Sequence, residues 1–406
     1  MRISRPGGSD DRRPRPVAGR TASQTATLFA ALREAAGDRG WLPFSTYMDL
    51  ALFHPEAGYY ARLEAVGAAG DFATSPSLSP SFGKLFARQF HQIWRHMGHP
   101  SRFDLIELGP GAGQFAASVL AEVEQLPRFK RALCYGLVER SASLRTTQAK
   151  RLERWSKLTR WGETLAEVAP SGVNGVIVSN EFFDALPCHR LVQTREGLRE
   201  IAVRVVGERL EEIVVPLGTE RLAAELAAEG LALKLGQRIE ISLASLDAMA
   251  EIGARLRQGA VITVDYGDVA REVYSPRRMG GSVRGFYRHL AVSDPYARPG
   301  EQDLTYDVNF TALARRGERA ELATLGLLPQ GDVLSNLGFD REIAELRRGK
   351  SRLEADQASA ALEKLVHPQG MGGAFKVLFQ GKGLGKADLA GLGGQPLPTF
   401  LWPWER

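Results

Sequence analysis

"FDLIELGPGAGQFAASVL", residues 103–120, decides how the chain is read. Six strand-forming residues run into glycines at 109, 111 and 113, and apolar residues at helical spacing follow from Gln114. A βα turn of this kind lies at the carboxyl edge of a sheet, where open α/β sheets bind ligands. Glycine lets the backbone approach a ligand, and the helix start offers unpaired N–H groups. A tight turn with nothing bound is the alternative. A dinucleotide fingerprint, Gly-x-Gly-x-x-Gly, requires glycine at 114, and this chain has Gln114, which disfavours a nicotinamide dehydrogenase.

The pattern is instead Gly-x-Gly-x-Gly, with Glu107 two residues before Gly109. It suits a ligand with an amino-acid carboxylate and ammonium: the helix end takes the carboxylate, and the acid favours the cation. S-adenosylmethionine is such a cofactor. Its ribose hydroxyls call for a second acid at the end of the next strand, and "LCYGLVERS" places Glu139 there. The cofactor residues expected are therefore Glu107, Gly109, Gly111, Gly113 and Glu139. Asp71, Phe72, Thr74 and Ser75, in the turn-rich "GDFATSPSLSP", are candidates for a lid over the cofactor or for a loop held by its own Asx and Ser turns.

Strand-like runs recur at "FDLIEL", "LCYGLVE", "GVIVSN", "GAVITVDYG" and "GAFKVLFQ", separated by helical or polar segments. Nearly continuous apolar strands alternating with helices indicate a doubly wound, Rossmann-like α/β sheet. Residues 1–22 read as a disordered Arg/Pro-rich tail, 23–100 as a helical cover with the lid loop, and 101–380 as the catalytic domain. Within that domain, about 190–258 form an insertion: a hairpin around Gly207 and one long Ala/Leu-rich helix. Residues 381–406 read as a loosely docked Gly/Pro-rich tail.

The chain has 406 residues, 44% hydrophobic and 24% charged, as in soluble globular proteins. No apolar run reaches the ~20 residues of a membrane helix. Six arginines against Asp10 and Asp11 within residues 1–20 account for four of the five net positive charges. The body is close to neutral, so no nucleic-acid surface is required. The tail has no apolar core of a secretory signal. Cys134 and Cys188 read as two reduced thiols, compatible with the cytoplasm. No Cys/His spacing points to a metal. His54 and His289 read as structural, and Arg277, Arg278, Arg284 and Arg288 as a solvated loop.

"SNEFFDALP", 179–187, follows a strand on the same sheet edge. Methyl transfer is an in-line displacement, so the protein positions and desolvates the nucleophile. Carboxylates can hold a guanidinium bidentately and leave one nitrogen facing the methyl. Asn180, Glu181 and Asp184 are the catalytic candidates, with Asp265 from "VITVDYG"; helix capping is the competing role for Asn180 and Asp184.

Together with "YMDLALFHPEAGYY", "GDFATSPSLSPSFGKL", "PGEQDLTYDVNF" and "MGGAFKVL", in that family's order, these strings resemble the MidA-type proteins. These are class I S-adenosylmethionine-dependent methyltransferases whose mitochondrial members assist assembly of respiratory complex I. The resemblance runs from about Trp41 to Leu378. It implies a seven-stranded sheet and methylation of an arginine on a partner protein, a complex I subunit for the mitochondrial members. The chain departs from the family's usual residues at Ser77, Lys84, Ala112, Gln114, Asp307 and Asn309. A methyltransferase for a small molecule, and a non-enzymatic assembly chaperone that binds the cofactor, are the rival functions. The oligomeric state is not specified by the sequence.

Overall fold

The computed structural model describes residues 21–61, 75–288, 290–385 and 388–394. Its centre is a sheet of β1 (Phe103–Leu108), β2 (Leu133–Val138), β3 (Thr159–Gly162), β4 (Val173–Asn180), β5 (Leu256–Asp268), β6 (Ala323–Pro329) and β7 (Phe375–Lys382). Their spatial order is β6-β7-β5-β4-β1-β2-β3. Strands β3, β2, β1, β4 and β5 are parallel, and β7 inserts antiparallel between β5 and β6. The two-residue strand Val308–Asn309 pairs with the end of β5. This is the seven-stranded sheet expected, with a short addition.

All six residues of β1 are buried, because helices cover both faces. Phe103 and Leu105 join the core beneath helices Pro80–His96, Gln114–Val123 and Arg352–Val366. Ile106 and Leu108 join the opposite core, with helices Leu243–Arg255 and Phe310–Arg319. The strand order reverses between β1 and β4, so their carboxyl ends open a crevice between them.

A second, antiparallel sheet carries the hairpin Gly197–Val206/Arg209–Val215, as expected around Gly207. It also takes in His189–Thr194, Arg238–Ile241 and the N-terminal strand Trp41–Pro43. The expected long helix is two helices, Glu220–Ala228 and Leu243–Arg255, separated by strand Arg238–Ile241. Gly230 and Gly236, both at positive φ, break the helical run, and Arg238–Ile241 completes the second sheet. The N-terminal helices Ala22–Ala36 and Phe44–Phe53 pack on this sheet through Leu28, Leu32, Tyr47 and Val203. Segment 388–394 is not loosely docked: Leu389 and Leu392 are buried, and Gly391 donates its N–H to Gln89 Oε1 at 2.8 Å. The loop read as solvated arginines holds strands Arg284–Tyr287 and Leu290–Val292, which form a three-stranded sheet with Asp303–Thr305. Arg278 and Arg284 are both paired with Asp307. No helix among the described residues is long and apolar enough to cross a membrane.

Candidate active site

A cavity of about 880 Å³ fills the crevice at the carboxyl ends of β1 and β4. Its floor at one end is the glycine loop, where Gly109, Gly111 and Gly113 all have positive φ (62°, 52° and 78°). Gly109 and Gly111 line the cavity; Gly113 does not. It is the residue before helix Gln114–Val123, and a Cβ there would meet Gln148 Cγ at 3.4 Å. Its glycine serves the turn rather than ligand approach. A Cβ on Gly109 would stand 2.9 Å from Phe182 Cδ2, so the glycine loop and the loop after β4 are packed against each other.

Glu107, at the end of β1, is 3% exposed and accepts a 2.7 Å hydrogen bond from Tyr135 Oη. Burial pushes its carboxyl up to about 8 against the opposing Tyr135 bond, and the nearby charge of Glu139 adds to the rise. Glu139, at the end of β2, accepts from Ser141 N at 2.8 Å and from Gln148 Nε2 at 3.3 Å. Burial raises its pKa as well. Gln148 also donates to the Gly111 carbonyl at 2.7 Å and accepts from Trp161 Nε1, so it staples the glycine loop to Glu139. Sequence reading passed over Gln148: a glutamine inside a polar helix carries no signal until the helix is folded against the loop.

The loop after β4 forms the other end. Glu181 has a left-handed backbone, φ 52°, unusual for a residue with a side chain. Its Oε1 accepts from Asn180 Nδ2 at 3.0 Å and from Ser75 N at 3.3 Å. Burial and the neighbouring Asp184 push Glu181 up to about 8. Asp184 is 7% exposed, accepts from Thr305 Oγ1 at 2.7 Å, and is also raised, chiefly by burial. Asn180, Glu181 and Asp184 line the cavity, joined by Tyr60, Tyr266, Phe286, Asp303 and Thr305. Tyr60 and the Asp303/Thr305 pair sit within quoted strings, but only folding brings their segments to this wall.

Besides Gly113, two further candidates lie outside the lining. Asp265 is fully buried and does not line the cavity. Its Oδ2 accepts from Phe182 N and Phe183 N at 3.2 and 2.9 Å, and its Oδ1 from Tyr266 N. It moors the loop after β4, while Tyr266 is the residue of "VDYG" that lines the cavity. Ser75 is likewise buried outside the lining; its hydroxyl donates to Gln330 Oε1 and its N–H braces Glu181. Pro76 is the lining residue there. Asp71, Phe72, Thr74 and His289 lie outside the described residues. His54 lines the cavity, but its Nδ1 accepts from Glu56 N and Ala57 N, a structural use. Both cysteines are free, and no metal-ligand cluster exists among the described residues.

S-adenosylmethionine fits this cavity. The Gly109–Gly111 loop, Glu107 and Glu139 are the groups an amino-acid and ribose ligand requires, and Asn180 Oδ1 is buried with no donor among the described residues. Residues 85–328 match the family model described as "Putative S-adenosyl-L-methionine-dependent methyltransferase". The protein arginine methyltransferase NDUFAF7, mitochondrial, of Mus musculus is 30% identical over 380 residues, covering 87% of this chain and 84% of the mouse protein. The Drosophila melanogaster homologue is 30% identical over 89% of this chain and 86% of its own length. A Burkholderia thailandensis COG1565 superfamily member crystallised bound to S-adenosyl-homocysteine superposes with a TM-score of 0.83 at 31% identity, over 93% of this chain and 98% of that one. With sheet order, cavity and relatives in agreement, the chain belongs to the MidA-type family of S-adenosylmethionine-dependent methyltransferases.

Proposed function

We propose that the acceptor is an arginine side chain of a partner protein. The observation that carries this is the acidity of the acceptor end. Glu181, Asp184 and Asp303 all line it, whereas the lining arginines, Arg140 and Arg145, follow Glu139 at the other end. Burial holds Glu181 and Asp184 above the usual carboxylate range, and a neutral or anionic acceptor would bring no charge to favour their ionised forms. A cationic side chain compensates them. The curated relatives carry the name protein arginine methyltransferase, which supports the same reading. A respiratory complex I subunit as the partner rests on the MidA resemblance alone. A cytoplasmic location is part of the same proposal and rests on the free thiols.

The geometry supports the following catalytic roles. S-adenosylmethionine supplies, when bound, a methyl group on a sulfonium sulfur. Glu107, the glycine loop and Glu139 would hold its amino-acid and ribose parts. Glu181 and Asp184 receive the guanidinium by charge-assisted hydrogen bonds and fix which nitrogen faces the methyl. The Asn180 Oδ1 acceptor is available to a second N–H. Glu181, whose ionised form an adjacent guanidinium favours, accepts the proton that the methylated nitrogen sheds. Asp265 positions these groups by fixing the backbone at Phe182 and Phe183.

Labelled cofactor, supplied with purified complex I subunits or a lysate from a strain lacking this gene, tests the proposal. Label on arginine, abolished by Glu181→Gln with S-adenosyl-homocysteine binding retained, is the expected result. Label confined to small molecules or nucleic acid, or binding without transfer to any protein, would overturn it.

A further inference from the structure

The cofactor end is held from behind by one side chain. Gln148, in helix Ala142–Arg151, is fully buried and lies outside the cavity lining. Its Oε1 accepts from Trp161 Nε1 at 3.1 Å. An indole N–H can only donate, so this contact fixes which way the amide faces and turns Nε2 towards acceptors. Nε2 donates to the Gly111 carbonyl at 2.7 Å and to Glu139 Oε2 at 3.3 Å.

Each of the two donations has a consequence inside the cavity. In a trans peptide the C=O and the following N–H point in opposite directions. The Gly111 carbonyl is drawn back to Gln148, so the Ala112 N–H is turned forward, to the side that Gly111 and Ala112 line. A backbone N–H there suits a carboxylate. Glu139 is held at both oxygens, by Ser141 N at Oε1 and by Gln148 at Oε2, so its plane is set before a ligand arrives. Two adjacent ribose hydroxyls need a carboxylate whose plane is fixed in this way.

Resting on the assignment of this end to the amino-acid and ribose parts of S-adenosylmethionine, we propose that Gln148 is a positioning residue for the cofactor. One amide sets the Ala112 N–H for the ligand's carboxylate and the Glu139 plane for its ribose, so the two parts are received as a unit.

Calorimetry with S-adenosyl-homocysteine and with 5′-methylthioadenosine, which keeps the ribose but lacks the amino-acid part, tests this. Gln148→Met preserves the side-chain length and removes both donors. It is expected to lower S-adenosyl-homocysteine affinity by about tenfold or more, and methylthioadenosine affinity by a smaller factor. With Glu139→Ala already in place, Gln148→Met should no longer change methylthioadenosine affinity, yet should still lower that for S-adenosyl-homocysteine. A residue that merely packs would cost the same with and without Glu139. Gln148→Glu keeps an acceptor for Trp161 and sets an oxygen against Gly111 and Glu139; it carries the same test if Gln148→Met does not fold. A cooperative urea transition in each variant shows that the fold is kept. Wild-type S-adenosyl-homocysteine affinity in the Gln148 variants, or an equal methylthioadenosine loss with and without Glu139, overturns this proposal alone. Unchanged affinity for both ligands in Glu139→Ala overturns the ribose assignment beneath it.

Discussion

Replacing Glu107 by Gln tests the cofactor end at one atom. In the free protein burial holds the Glu107 carboxyl near 8, so at pH 6 only about one molecule in a hundred is ionised there. If the ligand's ammonium needs the carboxylate, binding at pH 6 must first remove that proton. The cost is about 1.4 kcal/mol per pH unit below 8, or about 2.7 kcal/mol at pH 6, a factor of about 100. Calorimetry with S-adenosyl-homocysteine should therefore show wild-type affinity rising about tenfold from pH 6 to pH 7 and flattening near 8. The ligand's own α-amino group stays charged over the rising part, since such groups titrate at about 8. Glu107→Gln keeps an acceptor for Tyr135 but has no proton to lose. Its affinity should be flat from pH 6 to 7 and below the wild-type value at pH 6. Glu139 also lies near Glu107 and is raised by burial, so the difference between the two proteins, not the wild-type slope alone, isolates Glu107. The linkage has a second sign to check. The folded pKa lies above the ordinary carboxyl value of 4.5, so the free protein loses stability as pH rises from about 4.5 to about 8. Free Glu107→Gln should thus melt higher than wild type at pH 8, with the gap closing towards pH 5. Parallel slopes in the two proteins, or a flat wild type, would refute the assignment of Glu107 to the ammonium.

Gly109→Ala places a Cβ 2.9 Å from Phe182 at φ 62°, so the two loops must separate; calorimetry should read at least about a tenfold loss of S-adenosyl-homocysteine affinity, and unchanged affinity would remove the loop from the site. Glu139→Ala should weaken binding by about 1–3 kcal/mol through lost hydrogen bonds to the ribose, measured the same way. Asp265→Ala leaves the N–H groups of Phe182 and Phe183 without their acceptor, which should lower stability by about 2–4 kcal/mol in urea unfolding. Its kcat should fall while S-adenosyl-homocysteine affinity stays within a few-fold, because the cofactor end is untouched; a loss confined to cofactor binding would contradict the mooring role.

Local pattern was enough to specify the cofactor end. The six apolar residues of β1, the glycines after it and the acid at the end of β2 follow one another along the chain. Each element there is dictated by its own periodicity and turn chemistry. Edge strand β3, "TRWG", carried no such signal, because a half-exposed edge needs no apolar run. The single long helix expected after the hairpin failed for a related reason: Ala/Leu-rich composition cannot show that Arg238–Ile241 completes a second sheet.

The acceptor end belonged to tertiary structure. Asp265 had the residue type and strand-end position of a catalytic acid, and folding turned its oxygens to backbone N–H groups instead. Asp303, Thr305, Phe286 and Tyr60 gave no chemical signal separately, because their meaning lies in pairing across a sheet and docking of the N-terminal unit. The sequence by itself determined a strand, a glycine turn and two acids at one end of the cavity, since that end is built from successive elements of the chain. Only the tertiary structure decided which carboxylates line the other end of the cavity, since that wall is made of segments more than two hundred residues apart.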